Sequence, residues 1–227
     1  MKRLPQIAGA LVLGLAGTGV LVWLGLWQVE RLAWKTGILD RIETRIADAP
    51  VPVPANPDPS RDTYLAVAAD GLITGPAIRV LVSLKDRGPG CRIVQALETD
   101  GRRLLLDRGF VRIEACKGAF PGGPAIVTGN LHWPDEIDRY TPPPEADWRE
   151  GGLWFGRDLP AMAGALGTEP VLIVARTPTG EGIAPLPLGS EGIPNDHLGY
   201  AVTWFSLALV WAGMTVLMLW RISRRAS

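Results

Sequence analysis

The chain has 227 residues whose 23 cationic and 23 anionic side chains cancel at neutral pH, so it lacks the broad basic surface that holds nucleic acid through phosphates, and nucleic acid is excluded as a partner. Apolar residues make up 47% of it and gather into two long uncharged stretches, which excludes an ordinary soluble domain. Lysine is confined to Lys2, Lys35, Lys85 and Lys117 while arginine, alanine, glycine and leucine abound, the usage of a GC-rich bacterial genome.

Residues 1–3 read as a cytoplasmic tail and 4–28 as a first transmembrane helix, because about 20 apolar residues in a helix cover roughly 30 Å of hydrocarbon. The stretch is too long for the apolar part of a signal peptide, and no small-x-small cleavage pattern precedes Trp27-Gln28-Val29-Glu30-Arg31, so it is read as a retained anchor. Trp27, Arg31 and Lys35 recur every four residues, and Leu32, Leu39, Ile42 and Ile46 keep a helical period on another face. An amphipathic helical extension is therefore predicted over 29–49, with Gly37 as a place for a bend. Pro50, Pro52, Pro54, Pro57 and Pro59 make 50–63 an extended connector poor in backbone hydrogen bonds.

From 64 to 177 the signals are those of strands, at 64–69, 77–84, 92–99, 103–113, 125–131 and 171–175. Asp100-Gly101 is the clearest hairpin turn, and Gly71, Gly75-Pro76, Gly88-Pro89-Gly90 and Pro121-Gly122-Gly123-Pro124 punctuate the rest. The pattern predicts a β-rich antiparallel barrel or sandwich rather than alternating β-α units. One short helix over 159–166 interrupts it, with Asp158 as N-cap, Pro160 in its first turn and Gly167 as its stop.

Residues 178–194 form a Gly- and Pro-rich return segment, 195–220 a second transmembrane helix and 221–227 a basic cytoplasmic tail. Lys2 and Arg3 before the first span and Arg221, Arg224 and Arg225 after the second keep both termini cytoplasmic under the positive-inside rule. The central domain is then extracytoplasmic, in the periplasm beside a bacterial inner membrane; Arg31, Lys35 and Arg41 argue the other way, but long loops translocate largely regardless of charge. The expected class is thus a membrane protein, α+β, with two transmembrane helices flanking a β-rich extracytoplasmic domain that carries one short helix, and membrane lipid as a partner.

Both cysteines, Cys91 and Cys116, fall in the central domain, where an oxidising compartment permits a disulfide. A two-residue turn at Asp100-Gly101 sets Cys91 opposite the neighbourhood of Phe110 instead of Cys116, which argues for α-carbons too far apart to bridge. His132 is the domain's only histidine, so a copper or zinc site is disfavoured.

Pro194-Asn195-Asp196-His197 opens the second span, and Tyr200, Ala201 and Trp204 share a helical face with the histidine. Asn195 or Asp196 is read as the cap, and the positive end of the helix dipole keeps His197 neutral and able to ligate a metal. Such a residue is either an interfacial polar group, a contact with the central domain, or the axial ligand of a haem lying at the water-membrane boundary. Arg31 and Lys35 then pair with haem propionates or serve as plain boundary anchors, and Trp204 and Trp211 face lipid or stack on a planar ligand. Ala10, Gly14 and Thr18 on the first span and Ala208 with Ala212 on the second are small-residue stripes for helix pairing.

Enzyme signals are sparse: there is no Gly-x-Ser-x-Gly turn, His-Glu-x-x-His, phosphate-cradling loop or Cys-x-x-Cys. Asp107, Asp135, Glu136 and Asp138 have the chemistry of acid-base pairs, but nothing in the spacing positions them, and the last three read as a solvated loop.

Four stretches in this order, Gly25-Leu26-Trp27-Gln28-Val29-Glu30-Arg31 with Lys35, Asp107-Arg108-Gly109-Phe110-Val111, Arg157-Asp158-Leu159-Pro160-Ala161-Met162-Ala163, and Asn195-Asp196-His197-Leu198-Gly199-Tyr200 with Thr203-Trp204-Phe205, resemble the Surfeit locus protein 1 family of cytochrome c oxidase assembly factors. The resemblance covers almost the whole chain. It implies a non-enzymatic factor that helps place haem a in the catalytic subunit of cytochrome c oxidase, with His197 as the iron ligand; the helix faces then set Trp204 along the macrocycle, with Tyr200, Arg31 and Lys35 around it. The β-rich domain would meet that subunit or the haem a synthase, with Arg108 facing a partner or ending a strand in an ion pair; a scaffold that binds no haem is the competing class. Departures are local: Pro142-Pro143-Pro144-Glu145-Ala146-Asp147 and Leu153-Trp154-Phe155-Gly156 replace the usual run before Arg157, and the cysteines are not family hallmarks.

Overall fold

A computed structural model describes residues 3–190 and 193–224; Lys2, Arg225 and the side chain of Arg3, on which part of the orientation argument rests, lie outside the described residues. The chain divides into two compact units, Met1–Arg41 with Ser190–Ser227, and Ile42–Gly189.

The first unit is a pair of helices. Helix α1 (Arg3–Ala47) runs its 45 residues without interruption, passing through Gly37 and stopping three positions before Pro50. Its last turns thus form the extension predicted from the 29–49 periodicity. The second helix, labelled in chain order α4 (His197–Arg224), has 28 residues, and both are long and apolar enough to cross a membrane. Apolar side chains such as Leu13, Leu15, Val202 and Leu209 stand exposed along them, a surface that hydrocarbon rather than water would cover.

The helices meet antiparallel along small residues. Ala10, Gly14 and Gly25 of α1 and Ala201 and Ala208 of α4 are buried. A methyl group at Gly14 would strike the Thr215 side chain, one at Gly17 the Trp211 indole and one at Gly25 the Phe205 ring. Glycine there lets the backbones approach, which matters where lipid offers no hydrophobic drive for pairing. Thr18, half-buried, donates its hydroxyl back to the Gly14 carbonyl at 2.8 Å and so presents no unpaired polar group.

The second unit contains, in order, β1 (Val51–Pro52), α2 (Pro59–Asp62), β2 (Ala66–Leu84), β3 (Gly88–Thr99), β4 (Arg102–Arg112), β5 (Gly123–His132), β6 (Leu153–Trp154), α3 (Leu159–Leu166) and β7 (Leu172–Ala175). Pairing runs β2-β3-β4-β7-β5 and returns to β2, whose residues 66–73 pair with β5 while 72–84 pair with β3. The ring therefore closes through two halves of one strand, and the sheet is mixed rather than a clean barrel: β4–β7, β1–β2 and β2–β6 are parallel. The two strands read at 64–69 and 77–84 are those halves, joined through a register irregularity between Thr74 and Ile78 at Gly75-Pro76. Breakers that stop a strand in isolation become a bulge when both flanks are held by neighbours.

Helix α3 forms where it is predicted. Asp158 accepts from the Ala161 amide at 3.0 Å, Pro160 sits in the first turn, and Gly167 ends the helix at φ 65°. Leu159, Met162, Ala163 and Leu166 pack onto Ile78, Val80, Val94, Leu105 and Leu172, covering one side of the sheet. The Asp100-Gly101 turn has both residues at positive φ (48° and 72°), as a two-residue hairpin of this hand requires.

The disulfide expectation is corrected. Cys91 and Cys116 are bonded, with α-carbons 5.7 Å apart. Strands β3 and β4 keep the turn-defined register only as far as Val94↔Asp107; Ile93 then pairs Gly109, so Arg108 is an extra residue and Cys91 opposes Val111. A 3-10 turn over Ile113–Ala115 follows β4 and brings Cys116 to Cys91 on the neighbouring strand β3.

Candidate functional site

Site-forming residues fall in both units. In the helix pair, His197 is the first residue of α4 and is half-buried. Its Nδ1 lies 2.8 Å from Oε1 of Gln28, which is 8% exposed on α1. One α1 turn pair further on, Lys35 donates from Nζ to the carbonyl of Pro194, three residues before the histidine. Gln28 and Lys35, seven residues apart, thus lie on the same α1 face and grip the start of α4 by ring and by backbone. The Gln28 carboxamide oxygen at Nδ1 is matched by the tautomer protonated on that nitrogen, in which Nε2 keeps the lone pair a metal needs.

The other residues named around His197 divide. Trp204 is half-buried, whereas Tyr200 and Trp27 are exposed. Arg31 is exposed too and stacks its guanidinium over the Trp34 ring at 3.9 Å, apart from the Lys35 contact. Asn195 does not cap the helix: its Oδ1 is buried and has no hydrogen-bond partner among the described residues.

In the β domain, the extra residue in β4 leaves both Asp107 and Arg108 buried, at 0% and 2% exposure, where strand alternation would have put one outside. Asp107 accepts from Arg92 at 2.5 Å, from Arg157 at 3.2 Å and from the Gly109 amide at 3.1 Å. Arg157 in turn holds Glu136 through its side chain and through its backbone amide, the latter at 3.0 Å. Burial pushes the Glu136 carboxyl up, but the Arg157 hydrogen bonds and charge outweigh it and hold the group below the usual carboxylate range. Glu136 is therefore an ion-pair partner on an exposed loop, while Asp138 caps its own turn by accepting from the Tyr140 and Thr141 amides at 2.8 and 2.9 Å.

Arg108 neither faces a partner nor ends the strand in an ion pair. Its guanidinium donates to Gln95 Oε1 at 2.5 Å, to the Pro121 carbonyl at 3.1 Å, and to the carbonyl and hydroxyl of Thr179 at 2.7 and 3.1 Å. It fastens two loops to the sheet, and Phe110, 3% exposed, adds a backbone pairing with Ala184 at 2.7 and 2.9 Å. Gly109 sits at φ 124°, where a side chain would also collide with the Ala184 carbonyl. The two motifs of this unit, 107–111 and 157–163, are accordingly fold determinants. Sequence reading missed Gln28 as the histidine's partner and Arg92, Gln95 and Glu136 as partners of the buried Asp107, Arg108 and Arg157. The available signal was Asp107 directly after Leu104-Leu105-Leu106, since a carboxylate carried into a core strand demands cations.

His132, at the end of β5, stacks on Tyr64 with ring centroids 5.9 Å apart, and its Nδ1 is buried without a partner among the described residues. Burial, with Arg157 and Arg92 nearby, lowers its pKa to about 4 against a weaker opposing pull from Glu136. An unfolded histidine takes up its proton near pH 6.5 while the folded one resists until about 4, so stability falls as pH drops through that window. The melting temperature is expected to decline between pH 6.5 and 4, and His132→Gln should flatten the decline; an unchanged slope in the variant would assign the effect elsewhere.

Comparison with known proteins joins these two units. Surfeit locus protein 1 of Rattus norvegicus is 27% identical over 214 residues, spanning 81% of this chain and 67% of its own length. Surfeit locus protein 1 of Homo sapiens is 27% identical over 220 residues, with 82% and 69% spanned. The SURF1-like protein of Drosophila melanogaster is 28% identical over 213 residues, with 82% and 69% spanned. The model of the SURF1 family matches residues 15–209, a stretch that starts inside α1, ends inside α4 and encloses Gln28, Lys35, the Asp107–Arg157 network and His197, and the chain therefore belongs to the SURF1 family.

Proposed function

We propose that this chain is a non-enzymatic assembly factor for cytochrome c oxidase that holds haem a, as cargo, at the periplasmic end of its helix pair for insertion into the catalytic subunit. The observation that carries the reading is the 2.8 Å contact between His197 Nδ1 and Gln28 Oε1, which fixes the ring and leaves Nε2 as a metal ligand. Half-buried Trp204, seven residues along the same α4 face, offers an apolar plane for a macrocycle, and exposed Tyr200 lies between them. One histidine ligand suits a carrier, because a second strong axial ligand would slow release.

The Cys91–Cys116 disulfide supports a periplasmic β domain, since such bonds persist in oxidising compartments, and Arg221 and Arg224 at the end of α4 suit a cytoplasmic terminus. The β domain is the part that would meet the oxidase subunit or the haem a synthase. A scaffold without haem is the second reading, favoured by the fact that the Gln28–His197 bond by itself ties α1 to α4.

The test is the visible spectrum and pyridine haemochrome of detergent-purified protein co-expressed with haem a synthase. Haem a is expected in the wild type and lost in His197→Ala; folded protein with no haem in either would establish the scaffold reading instead.

A further inference from the structure

We infer that Gln28 and Lys35 are positioning residues for His197, Gln28 choosing which ring nitrogen faces the iron and Lys35 holding the backbone that carries the ring; the inference rests on the haem-carrier reading for its consequence, though not for its geometry. Gln28 is more than nine-tenths buried at the end of the uncharged stretch of α1, a costly place for a carboxamide unless it is used. Its oxygen meets His197 Nδ1 at 2.8 Å. An acceptor on Nδ1 forces the proton onto that nitrogen, and the lone pair onto Nε2, the atom further from the α4 backbone. With nothing on Nδ1, imidazole is free to carry its proton on Nε2, and that nitrogen then has no lone pair for a metal, leaving only Nδ1, the atom nearer the backbone.

Lys35 acts at a different point. Its ammonium is spent on the Pro194 carbonyl, so it is not a spare cation awaiting a propionate. The segment from Pro194 to His197 enters α4 through Asn195, whose own carboxamide oxygen is unpartnered among the described residues and does not stabilise the helix start. The Lys35 contact supplies an anchor that the Asn195 carboxamide oxygen does not. Two side chains at an interval of seven on α1 therefore fix the ring's proton and the ring's place, as outer-shell groups do for metal-binding histidines generally.

Only two histidines occur in the chain, so ring nitrogen-15 shifts of the full-length, haem-free protein in detergent read the tautomer directly, with His132→Gln identifying the other signal. Wild-type His197 is expected protonated on Nδ1, and Gln28→Leu is expected to move the proton to Nε2. Gln28→Glu, which keeps an acceptor, should retain the Nδ1 proton, and Lys35→Met should also retain it. In haem-loaded protein, Gln28→Leu should lower haem a occupancy about tenfold or more. Gln28→Glu should restore occupancy and shift the reduction potential negative, because a carboxylate makes the ligand more basic. Lys35→Met should lower occupancy with the tautomer unchanged.

A wild-type His197 protonated on Nε2, or a tautomer indifferent to Gln28→Leu, overturns the inference whatever haem does. Folded wild type without haem a overturns the carrier reading while leaving the tautomer result to stand, and haem retained in His197→Ala overturns His197 as the iron ligand and with it the consequence drawn here. Should Gln28→Leu fail to fold, the Glu variant's potential decides: an unshifted potential with normal occupancy sinks the proposal.

Discussion

Asp107→Ala is expected to destabilise the β domain by about 3–5 kcal/mol, the range found when one partner of a buried ion pair is removed. Asp107 is wholly buried, and the truncation would leave the Arg92 and Arg157 guanidiniums facing each other across a cavity with the Gly109 amide also unsatisfied. Arg157 keeps Glu136, so part of its charge stays compensated; among the described residues Arg92 keeps a long 3.4 Å contact to the Leu186 carbonyl. For a domain of this size a loss of that order lowers the melting temperature by roughly 10 °C or more. Asp107→Asn should cost less, because the carboxamide still accepts from Gly109 while the charge is gone. Thermal unfolding followed by circular dichroism checks both, and a melting temperature within about 2 °C of wild type for Asp107→Ala would show that the network is solvated in a way its burial denies.

Loss of the Cys91–Cys116 disulfide is expected to cost about 3 kcal/mol, the loop-closure entropy for a separation of 25 residues. The bond sits where two buried guanidiniums work on the same loop: Arg79 donates to the Cys116 carbonyl at 2.5 Å and the Gly118 carbonyl at 3.1 Å, and Arg108 to that of Pro121. Burial lowers the pKa of both arginines, which no carboxylate contacts in the hydrogen bonds they make, so loop carbonyls are what solvate their charge. A Cys91→Ala, Cys116→Ala protein should melt about 10 °C lower than the oxidised wild type, and hydrogen exchange should quicken first in 116–121. Equal melting of oxidised wild type and double variant would mean that the arginines alone hold the loop.

Much of this architecture was legible from residue patterns. The two spans, the helical extension past the first, the Asp100-Gly101 turn and helix α3 with its Asp158 cap and Gly167 stop are all local features, each written within a few neighbouring residues. Long-range pairing was not. The parallel contact of β4 with β7 joins residues more than sixty apart, and no periodicity within either strand says which edge the other will find.

The same division runs through the candidate site. His197 was identifiable from its place at the head of an apolar helix, and Lys35 from its recurrence with Trp27 and Arg31 on α1, because helical spacing is a property of the chain itself. That Gln28 meets the imidazole, that Lys35 closes on a carbonyl and not on a ligand, and that Arg31 turns away to Trp34 depend on how one helix is set against another. In the β domain a single extra residue at Arg108 buried two consecutive charged side chains and moved Cys91 one position along β4 toward Cys116, which the following 3-10 turn brings alongside. Composition and period thus determined which segments are helix, strand and span, since those follow from backbone sterics and local burial. Which polar groups find one another was decided only by tertiary packing, because a buried charge or carboxamide must be satisfied by whatever the fold brings alongside it.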